Sequence, residues 1–392
     1  MKKNSAILGA AFLMATSAIG PGFLTQTSKF TAELLTSFGF VILISLLLDI
    51  GAQVNIWRVI TISNKRAQQV ADGVAPGLGV VLAVLIGFGG LVFNIGNIGG
   101  TGLGLNALTG MDTTVGALLS CLVALGIFWY REAGRLMDNF TKALGLLMIL
   151  FTLYIAISSR PPVGEALYRT VWPAKIDLLK IVTLVGGTVG GYISFAGAHR
   201  LLDAGVQGPA ALPQVTRSSV SGIVITSVMR FVLFFAALGV VWHGAQLAES
   251  NPAASVFQHA AGNIGYRFFG FVMWCAAITS VVGASYTSVS FFKTLHPLAA
   301  KHDRCLITFF ILLSTLMFWI IDKPVALLIL AGALNGLILP LALAVILVAA
   351  RRPSIVGDYR HPLWLSIAGW LVVALMSWMG CVVIRDSVGR LM

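Results

Sequence analysis

The stretch that decides the fold lies near the N-terminus, where residues 14–30 read MATSAIGPGFLTQTSKF. The sequence is apolar up to Ile19, is interrupted by Gly-Pro-Gly at residues 20–22, and then becomes polar. Three interpretations fit this pattern: a cleavable signal peptide, a transmembrane helix that ends at the Gly-Pro-Gly sequence, and a membrane helix that is broken in its middle. The remaining chain decides among them.

Composition favours a membrane protein. Hydrophobic residues make up 58% of the 392 residues and charged residues only 10%, whereas soluble domains have about 25% charged and 45–50% apolar residues. A signal peptide is disfavoured, because a secreted soluble domain would not carry so much apolar sequence after it. The cysteines lie in or beside apolar segments without close pairing, which indicates neither a disulfide framework nor a zinc site; they are Cys121, Cys275, Cys305 and Cys381.

The chain is predicted to be an all-α polytopic membrane protein with about eleven transmembrane helices. Each segment is apolar and long enough, at roughly 20 residues, to cross a bilayer of ~30 Å. The segments are residues 6–28, 36–58, 77–105, 113–130, 139–159, 180–198, 219–243, 265–291, 305–321, 325–349 and 363–384.

Positive charge orients these spans. With the N-terminus in the cytoplasm, sixteen Lys and Arg residues lie inside and nine lie outside or near the outer ends, with Arg230 within a span. This bias predicts a cytoplasmic N-terminus and an external C-terminus in a bacterial inner membrane. The external connection at residues 160–179 is expected to lie along the membrane interface. Because the basic residues occupy scattered loops, the net charge of +12 does not indicate nucleic-acid binding.

A second interruption occurs in the sixth span, where residues 181–200 read IVTLVGGTVGGYISFAGAHR. It opens a second set of five spans, as the Gly-Pro-Gly segment opens the first, so the two sets would have opposite orientations. Interrupted segments at corresponding positions of two halves indicate a transporter's binding site. The alternative is that these glycines only allow close helix packing. The predicted division is residues 1–160 and 161–350 as inverted repeats, and 351–392 as an additional eleventh span.

The sequence resembles the natural resistance-associated macrophage protein (NRAMP) family of metal transporters. The resemblance covers spans one to ten and is clearest at residues 18–40, 184–200 and 334–347. It implies a LeuT-type five-plus-five inverted repeat with broken helices one and six. Among NRAMP-like proteins, the sequence is most similar to a bacterial branch often found beside 5-oxoprolinase subunits.

The family's metal ligands are replaced in this sequence. Metal-transporting members carry Asp-Pro-Gly-Asn in the first broken helix and Met-Pro-His in the sixth, and the ungapped equivalents are residues 24–27 and 190–192. The acidic pair of the third span corresponds to Asn94 and Asn97. Manganese and iron sites need carboxylate, imidazole or sulfur ligands, so we predict no metal site and absent or weak transition-metal transport.

The replaced site is suited to a different substrate. N–H groups at half-helix N-termini carry partial positive charge and suit a carboxylate. Neutral side chains beside them can bind an amide or hydroxyl group, and the family's gene neighbourhood points to 5-oxoproline or an amino-acid-like compound. The alternative for these side chains is hydrogen bonding between helices. The predicted substrate-binding residues are Gly22, Thr25, Gln26, Thr27, Asn94, Asn97, Gly190, Gly191 and Tyr192.

Candidate coupling-ion groups lie in the second and eighth spans. In sodium-coupled relatives of the LeuT type, adjacent hydroxyls on the eighth helix bind the ion, and Thr287 and Ser288 resemble that pair. Such hydroxyls otherwise pack and bond to helix carbonyls. Asp49 and Arg230 are charges within spans, which are costly to bury. They indicate a proton relay, a substrate contact or a structural ion pair.

No nucleotide-binding, GxSxG or HExxH motif occurs in the sequence, so no enzymatic activity and no cofactor are predicted. The resulting hypothesis is a secondary symporter that imports a small carboxylate with H⁺ or Na⁺. Two alternatives are a divalent-cation (Mn, Fe or Mg) transporter that uses carbonyls and amides, and a sensor or scaffold that retains the fold without transport.

Overall fold

The computed structural model describes residues 19–293 and 297–389, with side chains at these positions except 131–144, 297, 300 and 387–389. All regular secondary structure in this part of the chain is helical. The helices, numbered in chain order, are α1 Pro21–Leu34, α2 Phe38–Ser63, α3 Ala67–Val74, α4 Leu78–Thr109, α5 Thr113–Trp129, α6 Arg131–Ser158, α7 Val163–Val171, α8 Leu178–Thr188, α9 Tyr192–Asp203, α10 Leu212–Trp242, α11 Pro252–Phe292, α12 Pro297–Lys301, α13 Asp303–Ile321, α14 Pro324–Ala349, α15 Pro353–Val356 and α16 Leu363–Gly389.

The helices follow the predicted spans. Within the described residues, eight helical stretches are long and apolar enough to cross a membrane, or nine if the bent pair Gly145–Ser158 and Val163–Val171 is one span. Helix α5 is apolar but has only 17 residues. The prediction of an all-α polytopic membrane protein is confirmed, and ten of the eleven predicted segments, from residues 36–58 onward, each correspond to a helix or a pair of half-helices. Residues 6–18 of the first segment lie outside the described residues.

The Gly-Pro-Gly sequence begins a helix. Gly20 is extended (φ −109°, ψ −170°), and Pro21 is the first residue of α1. Proline suits this position, because its φ is already helical and its missing N–H would have no partner in the first turn. The first hydrogen bond of α1 runs from the Leu24 N–H to the Gly20 carbonyl at 3.2 Å. The segment after Gly-Pro-Gly is therefore helical, and the interpretation in which a helix ends there concerns residues that lie outside the described ones.

The sixth span is broken as predicted. Helix α8 ends at Thr188 and α9 begins at Tyr192, and the N–H groups of Val189 and Gly190 both donate to the Val185 carbonyl. Gly191 has φ +51° and ψ −123°, which glycine adopts readily and other residues do not. The break depends on this glycine.

A third interruption lies in α11, where Ala261 (φ −137°, ψ 19°) and Gly262 (φ +62°, ψ −155°) are not helical. The predicted eighth span, which begins at residue 265, corresponds to the part of α11 after this interruption. The shorter part before it, from Pro252, was not predicted as a helix.

Some glycines do serve close packing. A methyl group at Gly186 of α8 would clash with the Gly332 carbonyl and the Gly336 N–H of α14. The backbones of α8 and α14 therefore touch, which is the packing role weighed for this glycine-rich segment. The outer half of the sixth span and the tenth span form one closely packed unit.

Two ion pairs mark opposite ends of α2. At its beginning, Lys180 pairs with Glu33 at 3.0 Å, and at its end, Arg66 pairs with Asp203 at 2.5 Å. The two sides are named the outer face and the inner face, following the topology predicted from charge. With this naming, α1 lies between Gly20 and the outer face, and α8 lies between the outer face and Gly191.

Candidate functional site

The two broken spans meet at Gln26, which lies in the second turn of α1. Its Nε2 donates to the Leu328 carbonyl of α14 at 2.9 Å. A methyl group at Gly187 of α8 would lie 2.8 Å from its Oε1, and one at Gly332 of α14 would lie 2.6 Å from its Nε2. Gly22 is close to the same groups. The structure therefore brings Gly22 and Gln26 together with the end of α8, and the Gln26 Oε1 is buried without a hydrogen-bond partner.

Both breaks present the N-terminus of a half-helix. Helix α1 begins after Gly20 and α9 begins after Gly191, and neither end has a side-chain cap. The first N–H groups of a helix lack partners within it and carry partial positive charge. Such ends favour an anion.

Tyr192 is the first residue of α9 and is 1% exposed. Its ring meets Phe93 of α4 edge-on at 5.4 Å between centroids, and its hydroxyl lies near the side chain of Asn97 of α4. The Nδ2 of Asn97 is buried without a partner. Two predicted site residues thus lie together beside the sixth-span break, with one free amide donor.

Asn94 has a different environment. Its Nδ2 donates to the Ser285 hydroxyl of α11 at 3.0 Å and to the Ser314 hydroxyl of α13 at 3.1 Å. These contacts are the interhelical hydrogen bonds that were the alternative interpretation. The amide group of Asn94 therefore joins three helices, and only its Oδ1 lacks a partner.

The ungapped motif equivalence at residues 24–27 needs correction. The break lies at Gly20, whereas Leu24, Thr25 and Thr27 lie inside the regular helix α1, because Pro21 begins that helix. The hydroxyls of Thr25 and Thr27 are buried without partners. These two threonines remain polar groups near the break, but the break itself is formed by residues 20–23.

Asn335 of α14 was not among the residues predicted from the sequence. Its Nδ2 donates to the Gly89 carbonyl at 2.9 Å and to the Ala331 carbonyl at 2.8 Å, and its Oδ1 is buried without a partner. A methyl group at Gly191 would clash with that Oδ1, so Asn335 packs directly against the sixth-span break. The signal that could have identified Asn335 is the presence of an amide within an apolar span.

Asp49 and Arg230 lie close enough to interact electrostatically. They are 1% and 2% exposed, and each is the charged group that acts on the other. Arg230 Nη1 donates to the Thr188 hydroxyl, at the end of α8, at 3.0 Å, and Asp49 faces the same hydroxyl. The guanidinium carbon lies 4.4 Å from the ring centroid of Phe23 in α1. The pair therefore lies beside both breaks.

Thr287 and Ser288 do not lie level with the first-span break. Gly100 of α4 packs against both Pro21 and Ala277 of α11, so Ala277 marks that level. Ten further residues of helix place Thr287 about 15 Å nearer the inner face. Ser288 packs against Gly90 instead. Gly90 also lies beside Tyr192 at the sixth-span break. The carbonyls before Ile19 lie outside the described residues, so the assignment of Thr287, Ser288 and Asp49 as coupling-ion groups stays a prediction.

Among the described residues, no three His, Cys, Asp or Glu side chains come together as a set of metal ligands. The polar groups around the breaks are amides, hydroxyls, one guanidinium and the single carboxyl group of Asp49. This donor set is suited to hydrogen bonding a small organic molecule.

Solved structures share this fold. The manganese transporter of Eremococcus coleocola superposes with a TM-score of 0.75 over 97% of this chain and 86% of that chain, at 14% identity. MhsT, solved in complex with L-phenylalanine, superposes with a TM-score of 0.66 over 96% of this chain and 98% of that chain, at 16% identity.

Sequence comparison gives closer relatives. The membrane protein YcsG of Bacillus subtilis is 60% identical over 96% of this chain and 93% of its own length. A membrane protein of Haemophilus influenzae is 56% identical over 96% of this chain and 94% of its own. The family model described as natural resistance-associated macrophage protein-like matches residues 11–385. The chain therefore belongs to the NRAMP family and is a secondary membrane transporter, not an enzyme.

Proposed function

We propose that this NRAMP-family transporter imports a small carboxylate that also carries an amide or hydroxyl group, such as 5-oxoproline or an amino acid, by symport with H⁺ or Na⁺. The observation that carries the proposal is the pair of half-helix N-termini at the breaks, neither of which has a side-chain cap. The partial positive charge of these ends attracts an anion and opposes a cation.

Neutral side chains complete the site. The Nδ2 of Asn97 and the hydroxyls of Thr25 and Thr27 are buried without partners, and burying such groups costs free energy unless a ligand or water bonds to them. A compact molecule with a carboxylate and an amide offers both acceptors and a donor. The fold of MhsT, solved with L-phenylalanine bound, is compatible with such a substrate.

A divalent cation is the second candidate. The amide oxygens of Gln26 and Asn335 are buried without partners, and oxygen ligands suit hard cations such as Mg²⁺. A protein of this fold from Eremococcus coleocola is a manganese transporter. Against this candidate, cation sites of this kind usually include one or two carboxylates, and Asp49 already faces Arg230.

A ligand screen tests the proposal. The purified protein is heated with 5-oxoproline, other small carboxylates, amino acids, MnCl₂ or MgCl₂, each in sodium or choline buffer. A ligand at 100 times its Kd stabilises the folded state by about 2.7 kcal/mol, which raises the melting temperature. We expect a carboxylate to raise it. Uptake of the same compound, labelled, into proteoliposomes then tests transport.

Variants locate the binding. Gln26→Ala should remove the stabilisation by the carboxylate, whereas Thr31→Ala on the same helix should keep it, because the Thr31 hydroxyl only bonds to the Thr27 carbonyl within α1. Stabilisation by Mn²⁺ or Mg²⁺ alone favours the second candidate. If no solute binds or moves, both transport proposals are wrong.

A further inference from the structure

We propose that Arg230 binds the substrate carboxylate side-on and that Asp49 carries the symported proton. This inference rests on the proposed carboxylate transport and deepens it, because it names an anchoring residue and the coupling ion. Three observations support it: the position of Arg230 between the two breaks, its free N–H edge, and its buried acidic neighbour.

Arg230 connects the two broken spans. It lies in α10, and its guanidinium is stacked against Phe23, the third residue of α1. Its Nη1 donates to Thr188, the last residue of α8. The aromatic ring and the hydroxyl together fix the plane and direction of the guanidinium. A substrate at the breaks would therefore meet a positioned cation.

The remaining edge of the guanidinium is free. Nε and Nη2 are both buried and have no hydrogen-bond partner. These two nitrogens are adjacent and form the edge that donates parallel hydrogen bonds to the two oxygens of a carboxylate. Buried arginine donors are normally paired. The unpaired edge has the geometry of a carboxylate receptor.

Asp49 balances the charge of Arg230. Neither of its oxygens has a hydrogen-bond partner of good geometry. Of the described elements packed against α2, α10 contributes Arg230 and α8 contributes the Thr188 hydroxyl, and no other charged or titratable group there acts on Asp49. When Asp49 is ionised, the pair carries one positive and one negative charge.

Binding of a carboxylate changes this balance. Two negative charges would then share one buried cation, and an uncompensated buried charge is costly. Protonation of Asp49 restores neutrality. The proton enters from the outer solution with the substrate, binds a carboxylate oxygen of Asp49, and leaves to the inner solution after the substrate is released. The coupling is thus one proton for each carboxylate.

The first test uses the unaltered protein. 5-Oxoproline is added to the purified protein in weak buffer with a pH indicator, and proton uptake is compared with the amount bound. We expect about one proton to be taken up per molecule bound near neutral pH. Binding without proton uptake overturns the inference and leaves carboxylate transport intact. If 5-oxoproline does not bind, the carboxylate that stabilises the protein most in the screen replaces it.

The second test uses proteoliposomes and labelled 5-oxoproline. Asp49→Asn should retain exchange of internal for external substrate, because the amide resembles the protonated acid, and it should lose accumulation driven by a pH gradient. Arg230→Lys should weaken binding about tenfold or more, because an ammonium cannot form the parallel pair. Thr226→Val on the same helix is the matched control, because the Thr226 hydroxyl only bonds to the Gly222 carbonyl within α10, and it should keep the response to the pH gradient.

The outcomes separate the inference from the proposed function. If Asp49→Asn still accumulates substrate in a pH gradient, or loses exchange and accumulation equally, Asp49 is not the proton carrier. Sodium-driven accumulation that does not depend on pH would also exclude Asp49 from that role. If the unaltered protein neither binds nor exchanges any carboxylate, the proposed function itself is wrong.

Discussion

The two broken spans are built differently. In the first, Pro21 begins the outer half-helix and Gly20 keeps an extended conformation that most residues can adopt. In the second, the chain turns at Gly191 with a positive φ, and Asn335 fills the space beside it. The first break therefore depends on a residue that starts a helix, and the second on a residue that has no side chain.

The difference extends to what each break offers a ligand. Helix α1 carries buried polar side chains in its first turns, including Thr25 and Gln26. The end of α8 is glycine-rich and packs against α14, so it contributes mainly backbone groups and Thr188. The first break therefore offers a ligand polar side chains, whereas the second offers mainly backbone groups in a closely packed turn.

The largest expected difference in stability is between the alanine variants of Gly191 and Gly22. Gly191→Ala should destabilise the protein by about 3 kcal/mol or more, because it combines backbone strain with a clash against Asn335. Gly22→Ala should change stability by less than about 1 kcal/mol, because its nearest atoms are 3.6 Å or more from the added carbon. Melting temperatures of the two variants test this, and equal losses would contradict the comparison.

The next largest change in stability is expected when Asn335, which packs against the second break, is replaced. Asn335→Ala removes two hydrogen bonds to carbonyls and should cost about 2 kcal/mol. In that background Gly191→Ala keeps its backbone strain but loses the clash. The double variant should therefore be more stable than the sum of the single losses implies. Strict additivity would show that Asn335 does not hold the second break.

Variants of Asn94 and Asn97 on α4 should show different roles, stability for Asn94 and substrate binding for Asn97. Asn94→Ala should lower stability by about 1 kcal/mol without changing the substrate Kd, because Asn94 joins helices through Ser285 and Ser314. Asn97→Ala should raise the Kd about fivefold, because its free Nδ2 lies at the break beside Tyr192. Melting temperatures and ligand titrations of both variants distinguish the two roles. If Asn94→Ala raised the Kd and Asn97→Ala only lowered stability, Asn94 would be the binding residue and Asn97 the structural one.

The smallest effect is expected where the outer halves are tied together. Glu33 of α1 pairs with Lys180 of α8, and Lys180 also pairs with Asp177. Glu33 is partly exposed, so Glu33→Gln should cost no more than about 0.5–1 kcal/mol and leave uptake unchanged. A large loss of transport in this variant would mean that the ion pair controls the relative motion of the two halves.

The helices, the change of structure at Gly-Pro-Gly and the break in the sixth span could be predicted from the sequence. Long apolar runs define spans because unpaired backbone groups are not tolerated in lipid, and glycine and proline mark where helices stop or start. The first break was placed four residues late in the motif comparison, because Pro21 rather than the family alignment determines where α1 begins.

The contacts of the site could only partly be predicted. Tyr192 meets Asn97, as the candidate set allowed, but their contact depends on how α9 packs against α4. Asn335 was missed because one amide in an apolar span carries little signal. Asp49 and Arg230 were singled out as charges, but packing determines that they are neighbours.

The separation of that pair along the chain has a consequence for synthesis. Arg230 is translated 181 residues after Asp49, which takes about 10–40 s at typical elongation rates. During that interval α2 enters the bilayer with an acidic residue and no counter-charge, which costs roughly 2.5–3.5 kcal/mol at the centre of a span. The nascent segment must keep this carboxyl group protonated or in contact with water until α10 arrives. The insertion of α2 therefore carries a cost that the later arrival of Arg230 can offset.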